Sequence, residues 1–340
     1  NTRVKARVKA HALREFMMSK DKVVVMGHKI SDADAIGAAI GIYRAAKSLN
    51  KKAHIVVNNP TMSVRPVIER FKDNADYEHD MFVDSNQAMD IVDSNTVVVV
   101  VDVNKPSYTE CEELLHQTKT IVVLDHHRQG SEVIQNAVLS YIEPYASSSC
   151  EMVAEILQYF GDDIKIYNIE ADALYSGIMI DTNNFTSKTG VRTFEAAAFL
   201  RRCGADVTRV RKMFRDDVDS YRAKAEAIRS VETYRNVFAL AVCPSEGLDS
   251  PTVIASQAAN ELLNVSSVKA SFVLTDYQNK IYISARAIDE VNVQIIMERL
   301  GGGGHINMAG AQIPGVSTET AMRQLKETLD KMIKEGDIEV

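Results

Sequence analysis

Acidic and imidazole side chains gather at three places where short apolar runs end. Val23 to Met26 leads into the octapeptide GHKISDAD, Val97 to Val101 ends in Asp102, and Ile121 to Leu124 ends in Asp125-His126-His127. One aspartate in such a position is ordinarily a helix or turn cap. Three run ends carrying Asp and His together say more, because carboxylates gathered without cations repel one another and resist desolvation, so the cluster implies bound metal. Mixed imidazole and carboxylate ligation without thiolate suits Mn²⁺, Fe²⁺, Co²⁺ or Zn²⁺ better than Ca²⁺. Asp32 and Asp34, two residues apart, would diverge along a helix but can serve two different ions from a loop or a first helical turn. That points to two ions roughly 3.5 to 4 Å apart with one carboxylate between them, and Asp102, alone at its strand end, is the best bridge.

For these groups to meet, the runs that carry them must lie side by side. Val23 to Met26, Ile55 to Val57, Val97 to Val101, Ile121 to Leu124 and Val138 to Ile142 are short, β-branched and apolar on both faces, as buried parallel strands are. Helical patterns separate them, clearest in Ile36, Ala39, Ile40, Tyr43 and Leu49, with Ser31 or Asp32 as the cap. The fold class is therefore α/β, a doubly wound, mainly parallel sheet whose strand C-termini share the edge where ligands bind. His28, Asp32, Asp34, Asp102, Asp125, His126 and His127 should converge there although they span about 100 residues.

The rest of the chain reads as a join and a second, smaller α/β domain. Residues 1–20, with Arg3, Lys5, Arg7, Lys9 and Arg14 among Val4, Val8, Leu13 and Phe16, suit a solvated basic connector helix. The first domain is assigned to 21–200, a helical linker to 201–235 and the second domain to 236–340. That domain should hold a strand at 237–243, a helix begun by Ser250 and Pro251, and a hairpin of strands 268–275 and 280–287. A helix at 293–300, the glycine run 301–304, a strand near 309–313 and a helix from Ser317 to about Glu335 follow. Four glycines alone make a flexible connection. They also let backbone N–H groups approach a ligand, and with His305 next in line a phosphate or nucleotide cradle is reasonable. Ser147, Ser148 and Ser149 read first as a helix N-cap and second as a substrate contact.

Composition narrows the class. The 340 residues suffice for two domains of about 150 each. The 39 Lys and Arg against 46 Asp and Glu leave a net charge of −7, which excludes a strongly basic nucleic-acid coat, and Trp is absent. Long single-stranded nucleic acid is thus a poor substrate candidate. The longest apolar run is far short of the ~20 residues of a membrane-spanning helix. Cys111, Cys150, Cys203 and Cys243 are too scattered for a C-x-x-C site and read as reduced thiols of a cytoplasmic protein.

Taken together, His-x3-Asp-x-Asp in GHKISDAD, the isolated Asp102, the triplet Asp125-His126-His127 and the run Gly301 to His305 resemble the DHH phosphoesterase superfamily with its DHH-associated C-terminal domain. The resemblance covers nearly the whole chain from Val23. It implies that His28, Asp32 and Asp102 bind one ion while Asp34, Asp102, His126 and Asp181, in GIMIDTNNF, bind the other, usually Mn²⁺. It makes Asp102, His126 and His127 the catalytic group, with Asp125 and His127 orienting His126 or touching phosphate. It makes Gly302, Gly303, Gly304 and His305 the substrate-holding motif, with Arg286 as a second phosphate candidate; of the three serines, Ser148 is the one assigned to a substrate contact. His54 and His116 are bystanders, and His11 belongs to the connector.

The reaction implied is metal-assisted hydrolysis of a phosphodiester. Within the superfamily the likeness is to GdpP-type phosphodiesterases, which open cyclic di-AMP to linear pApA; their catalytic portion lies behind membrane helices, which would anchor the full-length protein to the membrane. The expected partners are a cyclic dinucleotide and a second copy of the chain, without long nucleic acid and without membrane contact by this portion. The alternative is a nanoRNase and pAp phosphatase acting on short linear oligonucleotides. A pyrophosphatase of the same fold and a non-catalytic nucleotide sensor are more distant rivals.

Overall fold

The structure, a computed structural model, describes residues 2–288 and 290–340. The chain divides into two units, residues 1–215 and 216–340.

In the first unit six strands form one parallel sheet. They are β1 (Lys22–Met26), β2 (Lys52–Val56), β3 (Phe82–Val83), β4 (Thr96–Val101), β5 (Thr120–Asp125) and β6 (Leu139–Ile142), in the order β3-β2-β1-β4-β5-β6. The strands are short β-branched runs because both faces are covered. Val23, Val25, Val97, Val99 and Val101 enter one core, while Val24, Met26, Val98 and Val100 enter another on the opposite face. Each such valine, wholly removed from water, contributes about 1.5–3 kcal/mol. The strand order reverses between β1 and β4, and in open parallel sheets ligands bind at the carboxyl ends flanking such a reversal. His28 follows β1 and Asp102 follows β4.

Among the described residues eight helices accompany this sheet: α1 (Thr2–Met18), α2 (Ala33–Ser48), α3 (Arg65–Lys72), α4 (Ser85–Ile91), α5 (Ser149–Phe160), α6 (Asn168–Asp181), α7 (Val191–Arg202) and α8 (Val207–Met213). Two short 3₁₀ turns, Pro106–Tyr108 and Glu112–His116, follow β4.

The opening helix corrects the reading of a solvated connector. Ala6, Ala10, Leu13 and Met17 make one buried stripe on α1, while Val4 and Val8 face solvent. Lys5 pairs with Glu143 at 3.6 Å, and Arg7 and Arg14 lie over the Tyr159 and Phe160 rings of α5. Small alanines at i and i+4 let the helix approach closely, so half of its buried stripe carries no large apolar residue to mark it in the sequence.

The stretch 201–235, read as a linker, is split between the units. In the first, Val210 of α8 joins the large core, and the wholly buried Asp172 of α6 accepts from Arg70 at 2.8 Å and Arg209 at 2.5 Å. In the second, Ala223 and Ala227 of α9 (Val218–Arg229) pack into another core.

The second unit holds a sheet ordered β11-β12-β10-β9-β8-β7. Its strands are β7 (Glu232–Tyr234), β8 (Phe238–Val242), β9 (Ala270–Tyr277), β10 (Lys280–Ala287), β11 (Gly303–His305) and β12 (Met308–Pro314), antiparallel except for the β8–β9 pair. Gln278 and Asn279, both at positive φ, turn the β9–β10 hairpin as a two-residue loop does. Beside α9 the helices are α10 (Pro251–Leu262), α11 (Val293–Arg299) and α12 (Thr318–Glu335). One face, with Phe272, Ile281, Ile283 and Ala309, shares a core with residues of α11 and α12. On the other, Ala239, Ala241 and Val273 pack with α9 and α10. Among the described residues no helix is long and apolar enough to cross a membrane.

Candidate functional site

At the carboxyl edge of the parallel sheet, each acidic group has a distinct local reason for its position. After β1, Glu110 N donates to the Gly27 carbonyl and Lys29 N to that of Tyr108, so the 105–111 segment pins the GHKIS turn. Asp32 is the N-cap of α2: Oδ1 accepts from Ala35 N at 2.8 Å, while Oδ2 lies 3.7 Å from His28 Nε2. Asp34, in the first turn of α2 and wholly buried, accepts from Ser149 N and Cys150 N, both at 2.8 Å. These are the opening amides of α5, which have no partner inside their own helix and favour negative charge. Ser149 adds its hydroxyl, donating to Asp102 Oδ1 at 3.1 Å.

Asp102 sits at φ +62 directly after β4, a left-handed conformation that costs a non-glycine residue free energy and recurs at functional sites. Its two oxygens face different histidines: Oδ2 is 3.3 Å from His28 Nε2 and Oδ1 is 3.3 Å from His126 Nε2. His126 Nε2 is also 3.5 Å from Asp34 Oδ2 and 3.5 Å from Asp181 Oδ2. Asp181 is the last residue of α6. The helix ends there because Asn183 takes positive φ and its amide, with that of Asn184, closes on the carbonyls of Ile180 and Met179. Thr182 Oγ1 locks the same turn, donating to the Ile178 carbonyl and accepting from Phe185 N.

The donor atoms of His28, Asp32 and Asp102 lie within 4.8 Å of one another, as do those of Asp34, His126 and Asp181. These six groups suit divalent cations. Among the described residues the buried Nε2 of His126 has no hydrogen-bond partner although three carboxylates surround it, an arrangement of ligands around a shared point rather than a hydrogen-bonded network. Electrostatics agree. Burial, reinforced by neighbouring carboxylates, pushes Asp34 up to about 8 and Asp102 up to about 6, and raises Asp181 well above the ordinary range. Burial alone would lower His28, but its hydrogen bonds with Asp102 and Asp32 outweigh that and raise it to about 10. A site that so resists ionising its carboxylates lacks positive charge that cations would supply.

Asp125, wholly buried, accepts from His126 N, from His127 Nδ1 at 2.6 Å and from Asn104 Nδ2 at 2.7 Å. Its oxygens are taken up in fixing the two histidines, and His127 is raised to about 9, burial being outweighed by the bond to Asp125. Ser148 is a correction. It is wholly buried and caps α5 by accepting from Glu151 N at 3.1 Å, so it offers no substrate contact; Ser149, one residue on, is the serine that touches the acidic cluster. His54, buried on β2, shares its Nδ1 with the Asp80 carbonyl, while His116 and His11 lie on a 3₁₀ turn and α1.

In the second unit, Gly301 at φ +84 ends α11, and β11 then pairs antiparallel with β12. A Cβ on Gly302 would lie 2.0 Å from the Gly310 carbonyl oxygen and one on Gly304 2.6 Å from Ala309 Cα, whereas Gly303 has nothing within 4 Å. The run is an edge strand pressed on its neighbour, not a flexible connection. His305 stands opposite Met308, which in turn stands opposite Arg286 of β10. Arg286 Nε donates to Asn260 Oδ1 at 3.0 Å, and burial alone lowers its guanidinium to about 10.

Asn104, Asn260 and Thr182 are the polar partners that sequence reasoning missed, and none of them left a signal; Ser149 was named, but as a cap or a substrate contact rather than as a partner of Asp102.

The model of the DHH family, N-terminal domain, matches residues 22–178, and that of the DHHA1 domain matches residues 236–335. A cyclic-di-AMP phosphodiesterase GdpP of Bacillus subtilis is 43% identical over 341 residues, covering 98% of this chain and 51% of that protein, so the chain spans about half the length of this relative. A bifunctional oligoribonuclease and PAP phosphatase NrnA of Mycoplasma genitalium is 26% identical over 333 residues, covering 95% of each. Among solved structures, an exopolyphosphatase-related protein from Bacteroides fragilis superposes with a TM-score of 0.79 at 20% identity over 96% of each chain, a likeness of fold.

Proposed function

The chain belongs to the DHH family through residues 22–178 and carries a DHHA1 domain at 236–335, and from that premise we propose that it is the catalytic portion of a metal-dependent phosphodiesterase that opens cyclic di-AMP to linear pApA. The observation that carries the reading is His126 Nε2, buried, without a hydrogen-bond partner among the described residues and facing Asp34, Asp102 and Asp181 at 3.3–3.5 Å. Identity of 43% to a cyclic-di-AMP phosphodiesterase, against 26% to an oligoribonuclease, supports the cyclic substrate over the linear one.

In this reading His28, Asp32 and Asp102 hold one divalent ion and Asp34, Asp102, His126 and Asp181 the other, both Mn²⁺. Bound there, two such ions supply Lewis-acid polarisation of the phosphodiester and acidify water. The protein's own groups do the rest. Ser149 and the α5 amides fix Asp102 and Asp34, so the ligand oxygens are set before substrate arrives. Asp125 holds His127 at Nδ1, and its other ring nitrogen, Nε2, is assigned to protonating the leaving oxygen. In the second unit, Arg286 and residues 302–305 are assigned to binding phosphate and nucleoside. The working particle is a cytoplasmic homodimer.

Chromatographic product analysis tests this, with Mn²⁺-loaded protein offered cyclic di-AMP, cyclic di-GMP, pApA and pAp side by side. Fastest conversion of cyclic di-AMP, with pApA accumulating, is expected. Preferential conversion of pAp or pApA would replace the reading with that of a nanoRNase and pAp phosphatase.

A further inference from the structure

Arg286 has neutral company. Its Nε donates to Asn260 Oδ1 at 3.0 Å and its Nη1 to the Ala285 carbonyl at 2.9 Å. Among the described residues no carboxylate lies within ion-pair reach of it, whereas other part-buried arginines have one: Arg44 has Glu170, Arg70 and Arg209 have Asp172, and Arg192 has Glu155. A desolvated guanidinium without an anion is costly unless the anion arrives as ligand. Among the described residues two of its five N–H donors are engaged, and the planar fork suits a phosphate.

Asn260 does not meet Arg286 by accident of one contact. Ser256 and Asn260 lie four residues apart on one face of α10, and Ser284 and Arg286 two residues apart on one face of β10. The pairs match in register, Ser256 Oγ to Ser284 Oγ at 3.0 Å and Asn260 to Arg286. The seam is thus polar yet uncharged. An aspartate would have the same shape as Asn260 and would bind the guanidinium more strongly, but it would also neutralise it.

We propose that Asn260 is a positioning residue for substrate binding: it orients Arg286 through a neutral acceptor, so that the positive charge is kept for a phosphate group of the dinucleotide. This rests on the phosphodiesterase reading above. The test is steady-state kinetics of the whole chain with whichever dinucleotide the wild type converts, at low and high salt, for Asn260→Asp and Asn260→Ala. Asn260→Asp is expected to raise KM about tenfold or more with kcat changed less than about threefold, the signature of lost substrate binding. Its KM should also respond less to salt than the wild type's, because the charge that attracts phosphate is compensated. Asn260→Ala should raise KM while keeping the salt response, since the charge remains but its orientation is lost. Wild-type KM and salt response in both variants, or a fall in kcat matched by a lowered melting temperature with KM unchanged, would overturn the inference alone. A wild-type chain that converts none of the dinucleotides would remove the phosphodiesterase reading beneath it.

Discussion

Asp102 concentrates the chemistry of the site in one side chain. It ends β4 in a strained backbone conformation and presents one oxygen to His28 and the other to His126. In the proposed two-ion reading, replacing it with Ala takes a ligand from both ion positions at once, so turnover should fall below a few per cent of wild type and the Mn²⁺ content, measured by atomic emission after dialysis, should fall with it. Retained activity would break the assignment. Two adjacent serines separate structure from chemistry. Ser148→Ala should cost about 1 kcal/mol of stability as a lost N-cap and leave metal affinity intact. Ser149→Ala should weaken Mn²⁺ binding about tenfold or more in a titration, because it orients ligand carboxylates. At this scale the strand-end Asp and His residues were legible, since a carboxylate or imidazole directly after a valine run breaks the pattern visibly. Asp181 was not legible from periodicity, because it closes an ordinary apolar helix, and only the family resemblance supplied it. Asn260 and Asn104 have no sequence signal: an amide that holds a functional side chain looks like any surface amide until the fold brings them together.

Among the elements, close approach decides where the ligands can meet. Gly177 of α6 packs against the start of α2, where a Cβ would lie 2.3 Å from Cys150 Sγ and 2.9 Å from Asp34 Cα. Gly177→Ala should therefore push α6 away from α2 and α5, lowering the melting temperature and weakening Mn²⁺ binding together; a variant with wild-type values of both would show that the packing has slack. The glycine strand offers an internal contrast. Gly302→Ala and Gly304→Ala meet the backbone of β12 and should destabilise by about 1–3 kcal/mol as overpacking does, read by denaturant melts. Gly303→Ala meets nothing and should leave stability unchanged. Most elements were readable because their periods are clean, alternating two-sided valine runs with 3.6-residue apolar stripes. The short strands β3, β7 and β11 were not, since two or three residues carry no period. The packed role of α1 was hidden because its buried stripe is half alanine.

For the whole molecule, charge and protons link the site to stability. Asp34 and Asp102, at about 8 and about 6, lie above the ordinary carboxylate value, so in metal-free protein the folded state keeps protons that the unfolded chain has released. The sign follows: stability is greatest at low pH and falls as pH rises through these values. His28 and His127, raised to about 10 and about 9, act in the same direction, their contribution being complete below the ordinary histidine value and lost as pH rises through 9 to 10. His126 and Asp32 are shifted down and oppose the trend only below about pH 6.5. Chelated protein should thus lose melting temperature steadily from pH 6.5 to 9, while Mn²⁺-loaded protein should hold it, because bound ions stabilise the ionised carboxylates. A flat or rising profile with chelator would contradict this. The α/β class and the parallel sheet were readable because they follow from buried strand patterns; the division at residue 215, within a stretch of continuous amphipathic helices, was not, since two helices of similar pattern belong to different cores.

The central claim is that six groups from distant parts of the first unit grip a pair of divalent cations. Isothermal titration of the chelator-treated chain with Mn²⁺ addresses it most directly. Two ions per chain in the wild type, and a loss of tight binding at both positions in Asp102→Ala, are predicted. A wild-type stoichiometry of zero or one, or an Asp102→Ala chain that still takes up two, would contradict it.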